Sequence, residues 1–381
     1  MLKKSNNILL IILLLGLILR LLGLINISLS GDFKIHWQTA GTIIKLREFP
    51  LLGPNASINP NLYLGPFYYY LLAIPYLMGG GDYKIAIIFF SLLNTLSILL
   101  LYIICQSWFK KTTALKITAL FSVSYFMIIS QNYPWNPHFL FLLNFFAIFC
   151  LQKINKGKTI FVALLFLSLG LLLQSHATSI FLFPFYFLNL PFKKIKTAYF
   201  LLGIFLFISS IFPWLLANYL CGNCQILELK KILINSKPEQ CNLFEWINYH
   251  GHGERCFYYF RNSIFVLKLF SESLIGSTGI FGVFISGLLI MWYVIKGKNI
   301  NKKFFVTWLI IPMFLFLFYS SNVYLHYFLI FIPLPFIIFT LFLEELKKHN
   351  KCGKQIGTFL YCLIVILNIT LYLISLSKIR L

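Results

Sequence analysis

The chain has 381 residues, of which 59% are hydrophobic and only 11% are charged, whereas a soluble domain carries about 25% charged residues. A soluble protein of this length could not bury so much apolar surface. The formal net charge of +22 does not indicate a nucleic-acid partner, because the lysines form short clusters between apolar segments, as cytoplasmic loops do. Composition therefore predicts an all-α integral membrane protein.

Six lysine clusters predict the topology. They lie at 3–4, 110–116, 153–158, 193–196, 296–303 and 347–354, and basic loops of membrane proteins stay in the cytoplasm. Between them lie apolar segments at about 8–29, 84–106, 114–130, 138–151, 159–174, 177–190, 198–219, 276–295, 304–320, 323–343 and 356–376. We therefore expect one polytopic domain over 1–381 with about 11 transmembrane helices. Its N-terminus should be cytoplasmic and its C-terminus extracytoplasmic.

Two long extracytoplasmic loops are expected, at 30–83 and 220–275. The first contains an apolar segment, Phe67 to Met78, that is interrupted by Pro75. Apolar segments of about 10–14 residues are more often interfacial than membrane-spanning. Counting this one as a span would also invert every later loop, so we expect helices that lie in the membrane plane.

Asp32 and Asp82 are the two aspartates of the chain, and both lie in the first loop. Asp32 follows the first apolar segment directly. A carboxylate at the membrane boundary can act as a general base or a metal ligand, and a solvated helix cap is the alternative. His36 is four residues further on, so a helix would put both side chains on one face, and Trp37 is expected in the same cleft. Asp82 is predicted to cap the helix that follows it.

Six of the seven histidines map to extracytoplasmic loops or to the helix ends beside them. They are His36, His138, His176, His250, His252 and His326. Polar side chains within apolar flanks usually face the interior of a helix bundle. The histidines at 138, 176 and 326 are therefore candidates for substrate contact, with hydrogen-bonded core histidines as the alternative.

Four landmarks in the chain resemble a known family. They are Gly31-Asp32, Leu64-Gly-Pro-Phe-Tyr-Tyr-Tyr70, Tyr133-Pro-Trp-Asn-Pro137, and His326-Tyr327 with Pro333. In this order, over about residues 1–345, they resemble polytopic glycosyltransferases of the GT-C fold. The likeness is greatest to the branch related to protein O-mannosyltransferases and aminoarabinose transferases.

The resemblance implies inverting transfer of a sugar from a polyprenyl-phosphate donor to a glycan, lipid or protein acceptor, on the extracytoplasmic face of the cell membrane. It implies Asp32 as the catalytic residue, which deprotonates the acceptor or helps hold a Mg or Mn ion. Substrate contacts are expected from His36, Trp37, Trp135, Asn136, His138, His176, Arg255, His326 and Tyr327.

The chain departs from the family pattern at two places. Many relatives have a second aspartate where this chain has Asn136. Relatives with a Lys-Pro-Pro element bind the donor phosphate through its lysine, and this chain has Leu64-Gly-Pro66 instead. Another cation must then bind the phosphate, and the candidates are Lys34, Arg47, Lys84, Arg255 and Arg261.

Four cysteines fall in the second extracytoplasmic loop: Cys221, Cys224, Cys241 and Cys256. With the two histidines at 250 and 252 they could bind zinc. Exported loops usually meet oxidising conditions, so two disulfides are favoured. Four cysteines allow three pairings, and the sequence does not choose among them.

Two other functions share these features. A transporter or flippase for lipid-linked glycans would be expected to contain inverted repeats and broken helices near mid-membrane, and the sequence has no internal repeat. A polymerase or ligase of lipid-linked glycans would be expected to have a large late loop, which 220–275 partly provides. The early Asp32 favours the glycosyltransferase.

Overall fold

The computed structural model describes residues 2–25, 28–29, 31–56, 59–234, 258–297, 301–317, 319 and 323–378. The helices are α1 (Leu2–Leu21), α2 (Gly31–Leu46), α3 (Phe67–Met78), α4 (Lys84–Trp108), α5 (Lys111–Val123), α6 (Tyr125–Asn132), α7 (Leu140–Asn155), α8 (Phe161–Ser175), α9 (Phe183–Asn189), α10 (Thr197–Leu220), α11 (Cys224–Ile234), α12 (Tyr258–Ile275), α13 (Ile280–Lys296), α14 (Lys302–Leu317), α15 (Leu334–His349) and α16 (Lys351–Lys378). Shorter 3-10 helices are Leu22–Ile25, Asn136–Phe139, Ala177–Leu182, Phe192–Lys194 and Leu325–Phe331. Two short antiparallel strands complete the fold, β1 (Asn55–Ala56) and β2 (Asn59–Tyr63).

The described helices include five that are long and apolar enough to cross a bilayer. They are Asn6–Ile25, Lys84–Trp108, Asn136–Asn155, Thr197–Leu220 and Lys351–Ser377. Three bent pairs raise the number to as many as eight: α5 with α6 (55°), α12 with α13 (101°), and Leu325–Phe331 with α15 (56°). The chain is therefore a multi-pass membrane protein, as its composition predicts.

Several lysine clusters meet at one end of the bundle, here called the lysine end. Lys111 donates a hydrogen bond to Asn6 over 3.1 Å, and Lys116 forms an ion pair with Glu344. These contacts join the start of α1, the turn between α4 and α5, and the end of α15. Because α4 ends there, the segment that precedes α4 lies at the opposite end.

Arg20 is fully buried among the helices, near the end of α1. Its Nε donates to Gln131 Oε1 over 2.7 Å, and its Nη1 donates to the carbonyls of Gly16 at 2.9 Å and Ser122 at 3.0 Å. Among the described residues no ion pair involves this guanidinium. It links α1 to α5 and α6, on either side of the bend between them.

The bend between α5 and α6 is stabilised by hydrogen bonds with two other helices, α12 and α16. Asn368 accepts from Tyr125 N over 2.8 Å and donates to Leu274 O over 2.7 Å. Ser124 donates to Ser273 O over 2.7 Å. Backbone groups without a helical partner need such bonds in an apolar interior. The apolar run at 114–130 gives no sign of the bend, since no proline or glycine interrupts it.

The first predicted extracytoplasmic loop folds over the end opposite the lysines. It contains α2 and α3, in agreement with the expectation of helices there. Phe33 N–H donates to Tyr133 Oη over 2.9 Å, and Tyr68 Oη donates to Pro134 O over 2.6 Å. Asp82 Oδ1 accepts from Lys84 N, the first N–H of α4, over 3.0 Å. The predicted capping bond thus comes from the residue before the N-cap position, which is Tyr83.

Strand β2 is held by a side chain of α11. Gln225 accepts from Tyr63 N over 2.8 Å and donates to Asn61 O over 3.3 Å. A disulfide between Cys221 and Cys224 closes the turn between α10 and α11, directly before this glutamine. The region 220–275, expected to be a loop, thus contains α11 and α12. The residues at 241, 250, 252, 255 and 256 lie outside the described part of the chain.

Replacing Arg20 by alanine removes three hydrogen bonds and takes the side-chain donors from Gln131 Oε1 and the Ser122 carbonyl in an apolar interior. Because each unpaired buried group costs about 1–3 kcal/mol, Arg20→Ala should lower the apparent melting temperature in detergent by at least about 5 °C. Size-exclusion chromatography after heating measures this. Lys354→Ala, an exposed charge on α16, is the matched control, and equal melting of the two variants would contradict the assignment.

Replacing Gln225 by alanine should release β2 from α11. We expect hydrogen–deuterium exchange of the 59–66 peptide to become about tenfold faster or more, because the Tyr63 amide loses its acceptor. Mass spectrometry of the detergent-solubilised protein measures the rate. Gln38→Ala, on the exposed face of α2, should leave the peptide unchanged. Unaltered exchange in Gln225→Ala would show that β2 is held by other contacts.

Candidate functional site

A cavity that is partly open to the surface lies at the end of the bundle opposite the lysines. Its described lining consists of Asp32, His36, Pro54, Asn55, Ala56, Leu64, Trp135, Asn136, Pro137, His176, Ala177 and Tyr327. These residues come from α2, the β1–β2 region, the turn after α6, the junction after α8, and the 3-10 helix at 325–331. The fold therefore brings together segments nearly 300 residues apart in the chain.

Helix α2 contributes the carboxylate of the cavity. Asp32 lies exposed in the first turn of α2, where the positive end of the helix dipole stabilises a negative charge. His36 follows one turn later and lines the same cavity. Their spacing of four residues puts both side chains on one helix face, as expected from the sequence.

His36 is only 5% exposed. Its ring packs against Tyr68 and Tyr69, at centroid distances of 5.4 and 5.5 Å. Burial lowers the pKa of His36 to about 4, although the nearby Asp32 carboxylate acts in the opposite direction. The imidazole is therefore uncharged at neutral pH. Its Nδ1 is buried and has no hydrogen-bond partner among the described residues.

The turn after α6 provides an indole and an amide. Asn136 Nδ2 donates to Ser175 O over 2.8 Å, which ties this turn to the end of α8. Trp135 lies beside it and packs against the ring of His326 at 4.6 Å. The Trp-Asn landmark thus forms one wall of the cavity.

The three other candidate histidines surround this wall in different ways. His176 lines the cavity and packs edge-on against His326 at 5.4 Å. His138 contacts Trp135 at 5.4 Å, and its Nδ1 lies 3.0 Å from Tyr133 O. The histidines at 138 and 326 therefore support Trp135 and do not belong to the lining.

Trp37 is expected from the sequence in the same cleft as Asp32 and His36, but it is not part of the described cavity lining. One residue along a helix turns a side chain by about 100°, which points this indole towards α3. Its ring packs on Tyr76 at 4.9 Å, and its Nε1 donates to Gly81 O over 3.1 Å. The bulk of Trp37 therefore anchors α2. Arg255 lies outside the described residues.

Sequence reasoning missed the wall that is formed by Pro54, Asn55 and Ala56. Asn55 begins an Asn-Ala-Ser glycosylation sequon, but that motif gives no sign of a cavity wall. Strand β1 pairs with β2, and β2 is held by Gln225. A contact across more than 160 residues leaves no local signal, so only the folded structure could identify this wall.

The four candidate phosphate-binding cations that the structure describes are not among the described lining residues. Lys34 is exposed on α2, Lys84 begins α4, and Arg47 follows α2. Arg261 is buried on α12, and its Nε donates to Asn262 Oδ1 over 3.1 Å. The described part of the chain also contains no group of three or more His, Cys, Asp or Glu side chains that could hold a metal. These residues do not make up a complete Mg or Mn site.

No protein-family model matches the chain, and no curated protein matches it in sequence. Among solved structures it is similar to the Archaeoglobus fulgidus oligosaccharyltransferase, which was crystallised tethered through a disulfide bond to an acceptor peptide with the NVT sequon. The TM-score is 0.52 at 13% identity, over 99% of this chain and 55% of that one. The chain thus spans about half the length of that enzyme. At this identity the likeness concerns the fold alone, and the chain has a membrane fold of the GT-C type.

Proposed function

We propose that the chain is a membrane glycosyltransferase of the extracytoplasmic face. It takes the sugar from a polyprenyl-phosphate donor and transfers it, with inversion, to a lipid, glycan or protein acceptor. The observation that carries this proposal is the position of Asp32, an exposed carboxylate in a cavity lined by uncharged hydrogen-bonding and aromatic side chains at one end of an apolar bundle. A donor with a long lipid tail needs a polar site at such a boundary.

The proposed reaction is a direct displacement. Asp32 accepts the proton of the acceptor hydroxyl as its oxygen attacks the anomeric carbon. The bond from that carbon to the phosphate oxygen breaks, and its electron pair leaves with the polyprenyl phosphate. Attack opposite the leaving group inverts the anomeric configuration. Proton removal by one positioned carboxylate is worth about 10²–10⁴ in rate.

The donor phosphate must lie outside the cavity lining, because the lining contributes a carboxylate and no lysine or arginine among the described residues. Of the candidate cations, Lys34, Lys84 and Arg261 lie on helices at this end of the bundle. A cation there would stabilise the charge that develops on the leaving phosphate. Arg255 belongs to the same set of candidates.

The proposed topology places the cavity outside the cell. Lysine-rich loops face the cytoplasm, so the opposite end faces the exterior. With α8, α14 and the segment at 177–189 each counted as one pass beside the eight longer spans, the chain would cross the membrane about 11 times. Its N-terminus would then be cytoplasmic and its C-terminus extracytoplasmic.

Asp32→Asn should abolish sugar transfer, with a loss of about 10² or more, because the amide cannot accept the acceptor proton. Transfer is measured by chromatography of the products from a panel of polyprenyl-phosphate sugars in proteoliposomes. Asp82→Asn is the matched control, since Asp82 caps α4 outside the cavity. Wild-type transfer by Asp32→Asn would remove its catalytic role. Movement of lipid-linked glycan across the membrane without a new glycosidic bond would favour a flippase.

In the Lys34→Cys variant, the new cysteine should react with a membrane-impermeant maleimide on intact cells, because Lys34 is exposed beside the cavity. The native Cys352, free and exposed at the start of α16, should react only after the cells are opened. Peptide mass spectrometry distinguishes the two labels. The reverse pattern would place residue 32 in the cytoplasm and end the proposal.

A further inference from the structure

The chemical character of the cavity lining restricts the sugar that it can hold. Two surfaces of the lining are aromatic, from Trp135 and Tyr327, and the hydrogen-bonding groups are amides and imidazoles from Asn55, Asn136 and His176, with His36 beside Asp32. The lining therefore presents aromatic rings and hydrogen-bonding groups to a bound molecule.

The formal charge of the described lining is negative. Asp32 is the carboxylate among the described lining residues, and neither lysine nor arginine accompanies it. His36 cannot supply a positive charge at neutral pH, because burial lowers its pKa to about 4. His176 packs against a second imidazole, His326, at 5.4 Å, and the proximity of the two rings disfavours charging both. An anionic group on a bound sugar would therefore face the Asp32 carboxylate with no lysine or arginine among the described lining residues to compensate it.

A neutral sugar meets complementary groups in the same place. The buried Nδ1 of His36 has no hydrogen-bond partner among the described residues. A buried polar atom without a partner costs free energy, and a hydroxyl group that reached this nitrogen would recover it. Hydroxyl groups can donate to and accept from imidazoles and amides without adding charge. The lining thus matches a polyhydroxylated ring.

On these grounds we infer that the cavity selects donor sugars without an acidic group and excludes uronic acids and ring-phosphorylated sugars. This inference rests on the proposed function, and it names the class of donor for the same site. Two like charges about 6 Å apart at an effective dielectric constant of about 20 repel strongly enough to weaken binding about tenfold or more. The difference in affinity between neutral and acidic sugars arises from the Asp32 charge. It should therefore decrease when that charge is removed.

Binding measures this selection without turnover. The probes are polyprenyl phosphate glucose and polyprenyl phosphate glucuronate, which differ only at C6, tested against the purified full-length chain in detergent at pH 7. We expect the glucuronate probe to bind at least about tenfold more weakly than the glucose probe. In Asp32→Asn the ratio of the two dissociation constants should approach one. An equal affinity of the native chain for both probes, or a ratio that Asp32→Asn leaves unchanged, would overturn the inference.

Charge placed on the opposite wall provides a second and independent test. Asn55 is exposed and lines the cavity from β1. Asn55→Lys should raise the relative affinity for the glucuronate probe about fivefold or more, and Asn55→Asp should lower it. Asn55→Gln is the matched uncharged control and should keep the native ratio. Identical ratios in the lysine and glutamine variants would contradict the inference.

The two proposals fail in different ways. If no sugar of the polyprenyl-phosphate panel gives a glycosidic product but the binding ratio behaves as expected, the cavity is a binding site for neutral sugars and the transfer proposal is wrong. If glucose and glucuronate are transferred equally well and bind equally, the transfer proposal stands and the charge selection is wrong.

Discussion

The need to pair every backbone amide and carbonyl within an apolar bundle governs the architecture of this protein. Helices that bend or end inside the bundle expose backbone groups, and no water is present there to satisfy them. The chain meets this need with amides and hydroxyls from distant helices. Asn368 and Ser124 stabilise the bend between α5 and α6, and Asn136 bonds the carbonyl of Ser175 at the end of α8. The bond from Asn136 fixes the turn that forms one wall of the cavity.

The cavity therefore depends on contacts that also hold the helices together. Tyr133 receives the N–H of Phe33 at the start of α2, which fixes the segment that carries Asp32 against the turn that carries Trp135. Arg20 bonds Gln131 near the end of α6, just before that turn. A change deep in the bundle can thus alter the relative positions of the carboxylate and the indole. Stability and binding geometry are difficult to separate in this fold.

Much of the fold could be predicted from the sequence, and less of the site. Long apolar runs such as 84–106 and 198–219 have no alternative to a transmembrane helix, and the structure has α4 and α10 there. The shared face of Asp32 and His36 follows from the helical period alone. The same period turns Trp37 away, because adjacent residues point in different directions. The strand wall at 54–56 required the pairing of β2 with Gln225, which no local pattern contains.

The buried guanidinium of α1 has a consequence for biosynthesis. Its partners Ser122 and Gln131 follow it by 102 and 111 residues. At a synthesis rate of about 5–20 residues per second, the ribosome needs on the order of ten seconds to produce them. Before they emerge, the guanidinium lacks two of the three hydrogen bonds that it makes in the folded chain. The buried position of Arg20 can therefore be completed only after α5 and α6 have been synthesised.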